Sequence, residues 1–431
     1  MINQPRLWAT VFVTRNDRLS FVGMCLERTR STPLEVTIGV DDVVGLHPSC
    51  TCDRGKRGLL IPSQTNPCER HFVFECLAET KHSERIRTLN IHFENAYYPP
   101  EEGGQLSLGS CRFFDLPPPH LTGLEWRGEG TLYTNHLFSI PPFPHTLRSL
   151  SYEGSYHSQF MQVRNLTSFT LRSYSGYSEG ISAETFRTFM LNNQSLETLS
   201  LAWVSLKGSS NGPPVNLSNL KSFSAQLPFP TKTFSTIVRV PALRHLSSLW
   251  ITLVEDEYAF RATGDGIAFS VRSDFWRISE AWQDLTGYAR PTIRHVRLHD
   301  EPGSADPYLS EDGTVISLLM DADTLEVGSG YVPSFYDDFW DDLKQLGPQL
   351  KTIRFEIPEE MEPPGLSDEK FGGYPLDDIE DLVRYRFEQG RPFSSVERMV
   401  VSESERVNRR LDFLWRCFYG SCGLDQYVRP E

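Results

Sequence analysis

The sequence of 431 residues carries a formal net charge of -14, and 39% of its residues are hydrophobic. That hydrophobic fraction is sufficient for a large folded core, so a disordered chain is excluded. The negative charge argues against nucleic acid or an anionic membrane as the main partner, because both are bound largely by clustered lysine and arginine. The expected partner is therefore another protein.

Targeting signals are absent from the sequence. It contains no apolar run of about 18 residues, the length that a membrane-spanning helix requires. The start, Met1-Ile-Asn-Gln-Pro-Arg, lacks the basic and then apolar layout of a signal peptide. Eight cysteines are few for this length and are expected to be free thiols. The sequence thus predicts a cytoplasmic or nuclear protein without a membrane anchor.

Residues 1–45 predict a β-α-β cap. Apolar alternation predicts strands over 7–13 and 34–40, and helical spacing predicts a helix over 21–28. Residues 46–80 follow as a polar surface loop and a first helix over 71–79.

The cap region also resembles a known family. Pro5-Arg-Leu7-Trp8, then Leu26-Glu-Arg28-Thr, then Pro33-Leu34-Glu-Val-Thr-Ile resemble the segment that follows the F-box in F-box and leucine-rich-repeat proteins of mushroom-forming fungi. The resemblance implies the substrate-recognition half of a ubiquitin-ligase receptor. Because only four residues precede Pro5, the F-box is expected to be missing, by truncation or by true loss. A Skp-type adaptor is then expected to bind only if an F-box is supplied.

From residue 81 to 401 one apolar spacing, Φ-x-x-Φ-x-Φ, returns in eleven copies at irregular intervals. This pattern predicts an α/β fold: an irregular leucine-rich-repeat solenoid, with a curved parallel sheet and outer helices and loops. Residues 402–431 are expected to form a C-terminal cap. The copies are Ile86/Leu89/Ile91, Leu121/Leu124/Trp126, Leu147/Leu150/Tyr152, Leu166/Phe169/Leu171, Leu196/Leu199/Leu201, Leu220/Phe223/Ala225, Leu246/Leu249/Ile251, Ile293/Val296/Leu298, Ala322/Leu325/Val327, Leu350/Ile353/Phe355 and Val396/Met399/Val401.

Helices are predicted between several copies. Ser182 and Ser273 have the character of N-caps, and the acidic runs after Ser334 and Pro375 suit the first turns of two more helices. The longest gaps between copies are expected to hold inserts at 255–270 and 359–374.

The residues between the motif positions point to a binding surface. Side chains alternate along a strand, so these residues are expected to line an inner, concave face that binds a protein partner. Tryptophan and arginine are enriched among the energetic anchors of protein interfaces. Exposed strand residues without a role, or packing of Trp250 under the 255–270 insert, are the alternatives. The predicted partner-binding residues are Arg127, Arg172, Trp250, Arg297, His299, Arg354 and Glu356.

One string has the form of a catalytic motif. Gly176-Tyr-Ser178-Glu-Gly180 matches the G-x-S-x-G of serine hydrolases. A nucleophile elbow requires that serine on a sharp turn that joins a strand directly to a helix. The predicted strand ends several residues earlier, so the sequence favours a repeat loop and a protein that is not an enzyme, with a hydrolase as the alternative.

Candidate metal ligands cluster once. Cys50, Cys52, Cys68 and His71 could surround a tetrahedral zinc ion, but their spacing is not that of a standard zinc finger. The sequence therefore predicts no metal and no cofactor. A freestanding repeat scaffold unrelated to ubiquitin stays open as an alternative function.

Overall fold

The computed structural model describes residues 9–13, 19–40, 77, 79–93, 118–128, 143–154, 158–173, 180–226, 231–254, 257–273, 282–286, 291–300, 322–327, 344, 349–357 and 376–400. The described chain is α/β, with mostly parallel strands and few helices. It divides into two compact units. The first comprises Met1–Ser222 and Pro228–Val240, and the second comprises Phe223–Leu227 and Pro241–Glu431.

The first unit contains a parallel sheet whose strands follow the order of the chain. Each strand pairs in parallel with the next one in this order. The strands are β1 (Thr10–Val13), β2 (Leu34–Val40), β3 (Ile86–Phe93), β4 (Gly123–Gly128), β5 (Ser149–Glu153), β6 (Ser168–Arg172) and β8 (Thr198–Ala202).

Short strands and helices connect this sheet. β7 (Ile181–Ser182) pairs with β9 (Leu206–Lys207), and β10 (Val215–Asn216) pairs with β12 (Val238–Arg239). The helices are α1 (Leu19–Arg28), α2 (Thr80–Ser83), α3 (Ala183–Asn192) and α4 (Thr231–Ile237), with a 3-10 helix over Ser158–Gln162. β1, α1 and β2 form the predicted β-α-β arrangement.

Helix α3 begins where the sequence predicts. The hydroxyl of Ser182 accepts a hydrogen bond from the amide of Thr185 at 3.0 Å, so one amide of the first turn is satisfied. Phe186, Phe189 and Met190 are buried on one side of the helix. The ring of Phe186 lies 6.1 Å from that of Phe234 in α4. An N-cap and an apolar stripe therefore explain both the start of α3 and its packing.

The same backbone pattern joins successive copies of the motif. In the copies that begin at Leu147, Leu166, Leu196 and Leu220, the amides of the two residues after the first apolar position donate to one carbonyl of the preceding copy, with N···O distances of 2.8 to 3.1 Å. This pairing fixes each strand against the previous one without a shift of register. In the first unit the accepting carbonyls belong to Thr122, Arg148, Thr167 and Glu197.

The motif positions form the core, as predicted. In the five copies from Ile86 to Leu201, the first and second apolar residues are all buried. The third is buried too, except Trp126, which is half-buried. Aromatic rings from the connections cover these rows, with Phe160 3.9 Å from Tyr152 and Phe189 4.6 Å from Phe169.

A buried asparagine holds α3 to the neighbouring connection. The amide nitrogen of Asn193 donates to the carbonyls of Val163 at 2.9 Å and Phe189 at 2.8 Å. Its oxygen accepts from the amide of Leu166 at 2.9 Å. Because each of these polar atoms is satisfied, Asn193 can be completely buried without the penalty of an unpaired polar group.

The second unit begins at β11 (Ser222–Gln226), whose residues from Phe223 onward belong to it. Its strands do not all follow the order of the chain. In order across the sheet they are β11, β15 (Ile267–Ser273), β14 (Glu257–Gly264), β13 (Leu246–Val254), β16 (His295–Asp300), β17 (Thr324–Val327), β18 (Thr352–Ile357) and β19 (Ser395–Val400).

Residues 255–270 were expected to form an insert, but they belong to the sheet itself. β13, β14 and β15 are joined by antiparallel pairing, while β13, β16, β17, β18 and β19 pair in parallel in that order. The chain reverses at Gly266, whose φ of 72° suits glycine in a tight turn. Phe260, Ala262 and Phe269 are buried in line with the motif residues. Ser273, the predicted N-cap, is the last residue of β15, and the start of the helix expected after it lies outside the described residues.

The predicted eleventh motif copy, Val396/Met399/Val401, is wrong. Val396, not Met399, stands opposite Ile353 of β18, and Met399 stands opposite Glu356. The amides of Ser394 and Ser395 both donate to the carbonyl of Lys351, which is the pattern of the other copies. Phe393 therefore occupies the first apolar position, where it is buried. Val401 lies outside the described residues.

Helix α5 (Leu376–Glu388) follows Pro375, as predicted. Leu382 and Val383 are fully buried on it. Arg386 is also buried: its guanidinium donates to the carbonyl of Leu350 at 2.8 Å and lies 4.8 Å from the ring centre of Phe393. Burial, together with the charge of Arg391, lowers the pKa of Arg386 to about 10. Arg386 therefore stays charged at neutral pH and ties α5 to the segment directly before β18.

Replacement of Phe393 tests the corrected register. We expect Phe393→Ala to lower the free energy of unfolding in urea by about 3 kcal/mol, because it leaves a cavity in the core and removes the ring beneath Arg386. Phe12→Ala is the matched control: Phe12 is exposed on β1, so a change of less than about 0.5 kcal/mol is expected. Equal effects of the two substitutions would contradict the register.

Candidate functional site

The strands of the first unit present polar side chains on the side opposite the motif residues. Because side chains alternate, residues in register across neighbouring strands share that side. We call the surface the first polar face. Its members are Asn90, Glu125, Ser151, Thr170 and Ser200 in one row and His92, Arg127, Glu153, Arg172 and Ala202 in the next.

Opposite charges meet along this face. Nε2 of His92 lies 3.1 Å from Oε1 of Glu125, and Nε of Arg127 lies 2.5 Å from the same oxygen. Arg127 Nε also lies 3.8 Å from Oε2 of Glu153, and Nη1 of Arg172 lies 3.4 Å from Oε1 of Glu153. The five side chains therefore form a continuous row of polar contacts across β3 to β6.

The acids of this row of contacts lie deeper than the arginines. Glu153 and Glu125 are 14% and 28% exposed, whereas Arg127 and Arg172 are 56% and 46% exposed. Exposed ion pairs contribute little to stability, generally less than about 1 kcal/mol each. The arrangement therefore matters more for what the face presents to solvent than for the fold.

The second unit carries a corresponding row of polar residues. We call it the second polar row, defined by residues in register across β15, β14, β13, β16, β17, β18 and β19. At its first end the hydroxyl of Ser270 donates to that of Ser224 at 3.0 Å. The members of the row are Ser270, Arg261, Trp250, Arg297, Glu326, Arg354 and Glu397.

Glu326 is the charged centre of this row. Its Oε1 lies 2.9 Å from Nη1 of Arg354 and 3.1 Å from Nε2 of His295, and its Oε2 lies 4.0 Å from Nε of Arg297. Glu326 is only 9% exposed, whereas its three partners are 31 to 35% exposed. One buried carboxylate thus organises three basic side chains from β16 and β18.

The electrostatics of Glu326 follow from these contacts. The hydrogen-bonding contact with His295 lowers its pKa most, and the bond from Arg354 adds to this effect. Burial alone would raise the pKa, but the partners outweigh it and bring the value from 4.5 to about 2. The carboxylate is therefore ionised throughout the physiological pH range.

The predicted site residues fall into two groups. Arg127 and Arg172 lie together on the first polar face, and Arg297 and Arg354 meet at Glu326. For the remaining three predicted residues, the structure gives only their partners in the strand pairing. They are Trp250 opposite Arg261 and Arg297, His299 opposite Thr252, and Glu356 opposite Met399.

The sequence prediction omitted His295 and Arg261. His295 precedes Val296 of the motif, so strand alternation could have placed it beside Arg297, two positions later. Arg261 lies on β14 and is exposed, and it was missed because β14 had been assigned to an insert outside the sheet.

The candidate catalytic serine and the candidate zinc ligands lie outside the described residues. They are Ser178, Cys50, Cys52, Cys68 and His71. Next to Ser178, β7 stands between β6 and α3, so strand and helix are not joined by one sharp turn. Within the described ranges, no three His, Cys, Asp or Glu side chains are grouped as metal ligands.

No family model matches the chain, and no curated protein matches it significantly in sequence. Among the helices in the described part of the chain, none has the length and apolar character needed to cross a membrane.

The low pKa of Glu326 gives a pH-dependent stability. A carboxyl whose pKa is lower in the folded state stabilises the fold fully above its unfolded value, near 4.5, and loses this contribution as the pH falls towards 2. We expect Glu326→Gln to lower the free energy of unfolding by about 2 kcal/mol at pH 7, with the difference from wild type shrinking below about pH 4.5.

Denaturant unfolding at several pH values measures this difference. Glu388→Gln, an exposed position on α5, serves as the control and is expected to change stability by less than about 0.5 kcal/mol. A Glu326→Gln effect of constant size from pH 7 to pH 2 would show that the charge of Glu326 does not stabilise the fold.

Proposed function

We propose that the chain is a non-catalytic leucine-rich-repeat protein that binds a protein partner through the polar sides of its parallel strands. One observation carries this proposal: in both units the charged residues between the motif positions are brought into register next to one another. Residues far apart in the chain thereby form a surface, and a surface of this kind suits a macromolecular ligand.

The repeated backbone pattern supports a solenoid. The amides after the first apolar position bond to the preceding copy in the first unit, and the same arrangement recurs at Asp323 and Lys351 in the second. Each copy buries its apolar side against the next, as in arrays whose units contact only their neighbours. The antiparallel strands β14 and β15 make this solenoid irregular.

The chemistry of the exposed residues favours protein binding. Arginine is among the residue types that contribute most to interface energies, because it combines an apolar stem with a planar group of five donors. The partly buried acids hold these arginines in place, which lowers the entropy lost when a partner orders them.

The resemblance of the N-terminal segment gives the proposal a biological setting. It suggests that the bound protein is a substrate presented for ubiquitination, with this chain as the recognition part of a receptor. A freestanding scaffold would use the same surface without a ligase, so both versions predict the same binding residues.

Substitution on the second polar row tests the binding function. Proteins near the chain are identified by proximity labelling in its native cell, purified and measured for direct binding. We expect Trp250→Ala combined with Arg297→Ala to weaken binding at least tenfold, roughly the effect of losing one interface anchor.

The control variant is Arg294→Ala, because Arg294 is exposed directly before β16 but does not belong to the row. It is expected to bind like wild type, and both proteins should keep a melting temperature within about 3 °C of wild type. Unchanged binding by the double variant, or loss of binding only through unfolding, would refute the proposal.

A further inference from the structure

The more exposed charges of the first polar face are positive, although the chain as a whole carries a net charge of -14. Glu125 and Glu153 lie low on the face, while Arg127 and Arg172 are the more exposed members. A partner that approaches the strands therefore meets the guanidinium groups before the carboxylates. This inversion of the overall charge is local and suits an anionic group.

The deeper acids position both arginines. Arg127 contacts Glu125 and Glu153 through Nε, and Arg172 contacts Glu153 through Nη1. A guanidinium has five N–H donors in a planar fork, so it can bind a second carboxylate on its solvent side while it keeps a first. Carboxylates bound in this way form two parallel hydrogen bonds, which gives directional specificity.

The distance between the two arginines limits the ligand. Arg127 lies on β4 and Arg172 on β6, with β5 between them. Neighbouring strands are about 4.8 Å apart, so the two stems start roughly 10 Å from each other. An extended peptide advances about 3.3 Å per residue, so acidic residues separated by one or two others reach both arginines.

A tryptophan lies at the end of the strand next to that of Arg172. Trp203 directly follows Ala202, the residue in register with Arg172. Alternation alone would turn its side chain towards the core, yet Trp203 has a φ of 57° and is 38% exposed. Positive φ is strained for a bulky residue, and such strain is concentrated at functional positions. An exposed aromatic side chain at this place offers an apolar contact at the end of the strand next to that of Arg172.

We propose that the first polar face binds an extended acidic segment of its partner protein. Arg127 and Arg172 each bind one carboxylate, and Trp203 contacts an apolar side chain that flanks the acidic residues. This assignment rests on the proposed function and adds the chemistry of the ligand. Two arginines and the overall negative charge do not suit a nucleic acid, whose binding depends on many phosphate contacts.

Peptide selection on the full-length protein tests the ligand chemistry. Random peptides of about 12 residues are long enough to cross the face when extended. We expect the peptides retained by wild type to be enriched in pairs of Asp or Glu separated by one or two residues, next to an aromatic or aliphatic residue. Their affinity should fall as salt is raised, because exposed charges are screened.

Charge reversal and its matched control locate the site. We expect Arg127→Glu combined with Arg172→Glu to weaken the selected peptides at least tenfold, about the loss of one charge-assisted contact. Arg164→Glu combined with Lys232→Glu changes the net charge equally, at exposed positions off the face, and should leave affinity unchanged. Trp203→Gly should weaken binding with little loss of melting temperature, because glycine adopts positive φ without strain.

The outcomes separate this inference from the function on which it rests. One outcome would overturn the acidic ligand and leave protein binding in place. In it, the selected peptides show no acidic excess, yet they lose affinity when Thr170→Trp blocks the face. Recovery of no peptide, or peptides that bind every face variant like wild type, would overturn both. Tighter binding of single-stranded RNA than of any peptide would also overturn both.

Discussion

Parallel pairing in constant register is the constraint on which the structure depends. Seven of the copies donate two amides to one carbonyl of the copy before them, which opposes sliding of the strands against one another. A shift by a single residue would exchange the buried and the polar side of a strand. The buried rows supply the apolar area that opposes such a shift. Core and surface are thus fixed by the same hydrogen bonds.

This register also decides which charges meet. In the first unit it places Glu153 between Arg127 and Arg172 of the two neighbouring strands. In the second unit it sets Glu326 between Arg297 and Arg354, where one buried carboxylate serves three basic groups. In both cases the acids lie deeper and the arginines project. Within each unit, residues that lie far apart in the sequence form a surface because the paired strands bring them side by side.

Much of this architecture could be predicted from the sequence, because the motif spacing reports strand alternation directly. The parallel strands, the buried leucines and the polar side followed from it. Strands β14 and β15 were missed although Asp265-Gly266 is a turn signal between alternating segments, since they interrupt the repeat. The last strand was misplaced because Val396, Met399 and Val401 fit the apolar spacing, whereas the copy that begins at Phe393 has Arg398 at its third position. Local spacing cannot choose between such registers, whereas packing against β18 can.

The central claim is that the arginines of the polar strands contact a protein partner, and arginine-specific chemical modification of the complex tests it most directly. Phenylglyoxal reactivity of each arginine is read by mass spectrometry with and without the captured partner. The account predicts that Arg127 and Arg172 become protected while Arg164 and Arg294, which are exposed outside the strands, stay reactive. Unchanged reactivity of Arg127 and Arg172 in a complex that protects other arginines would contradict it.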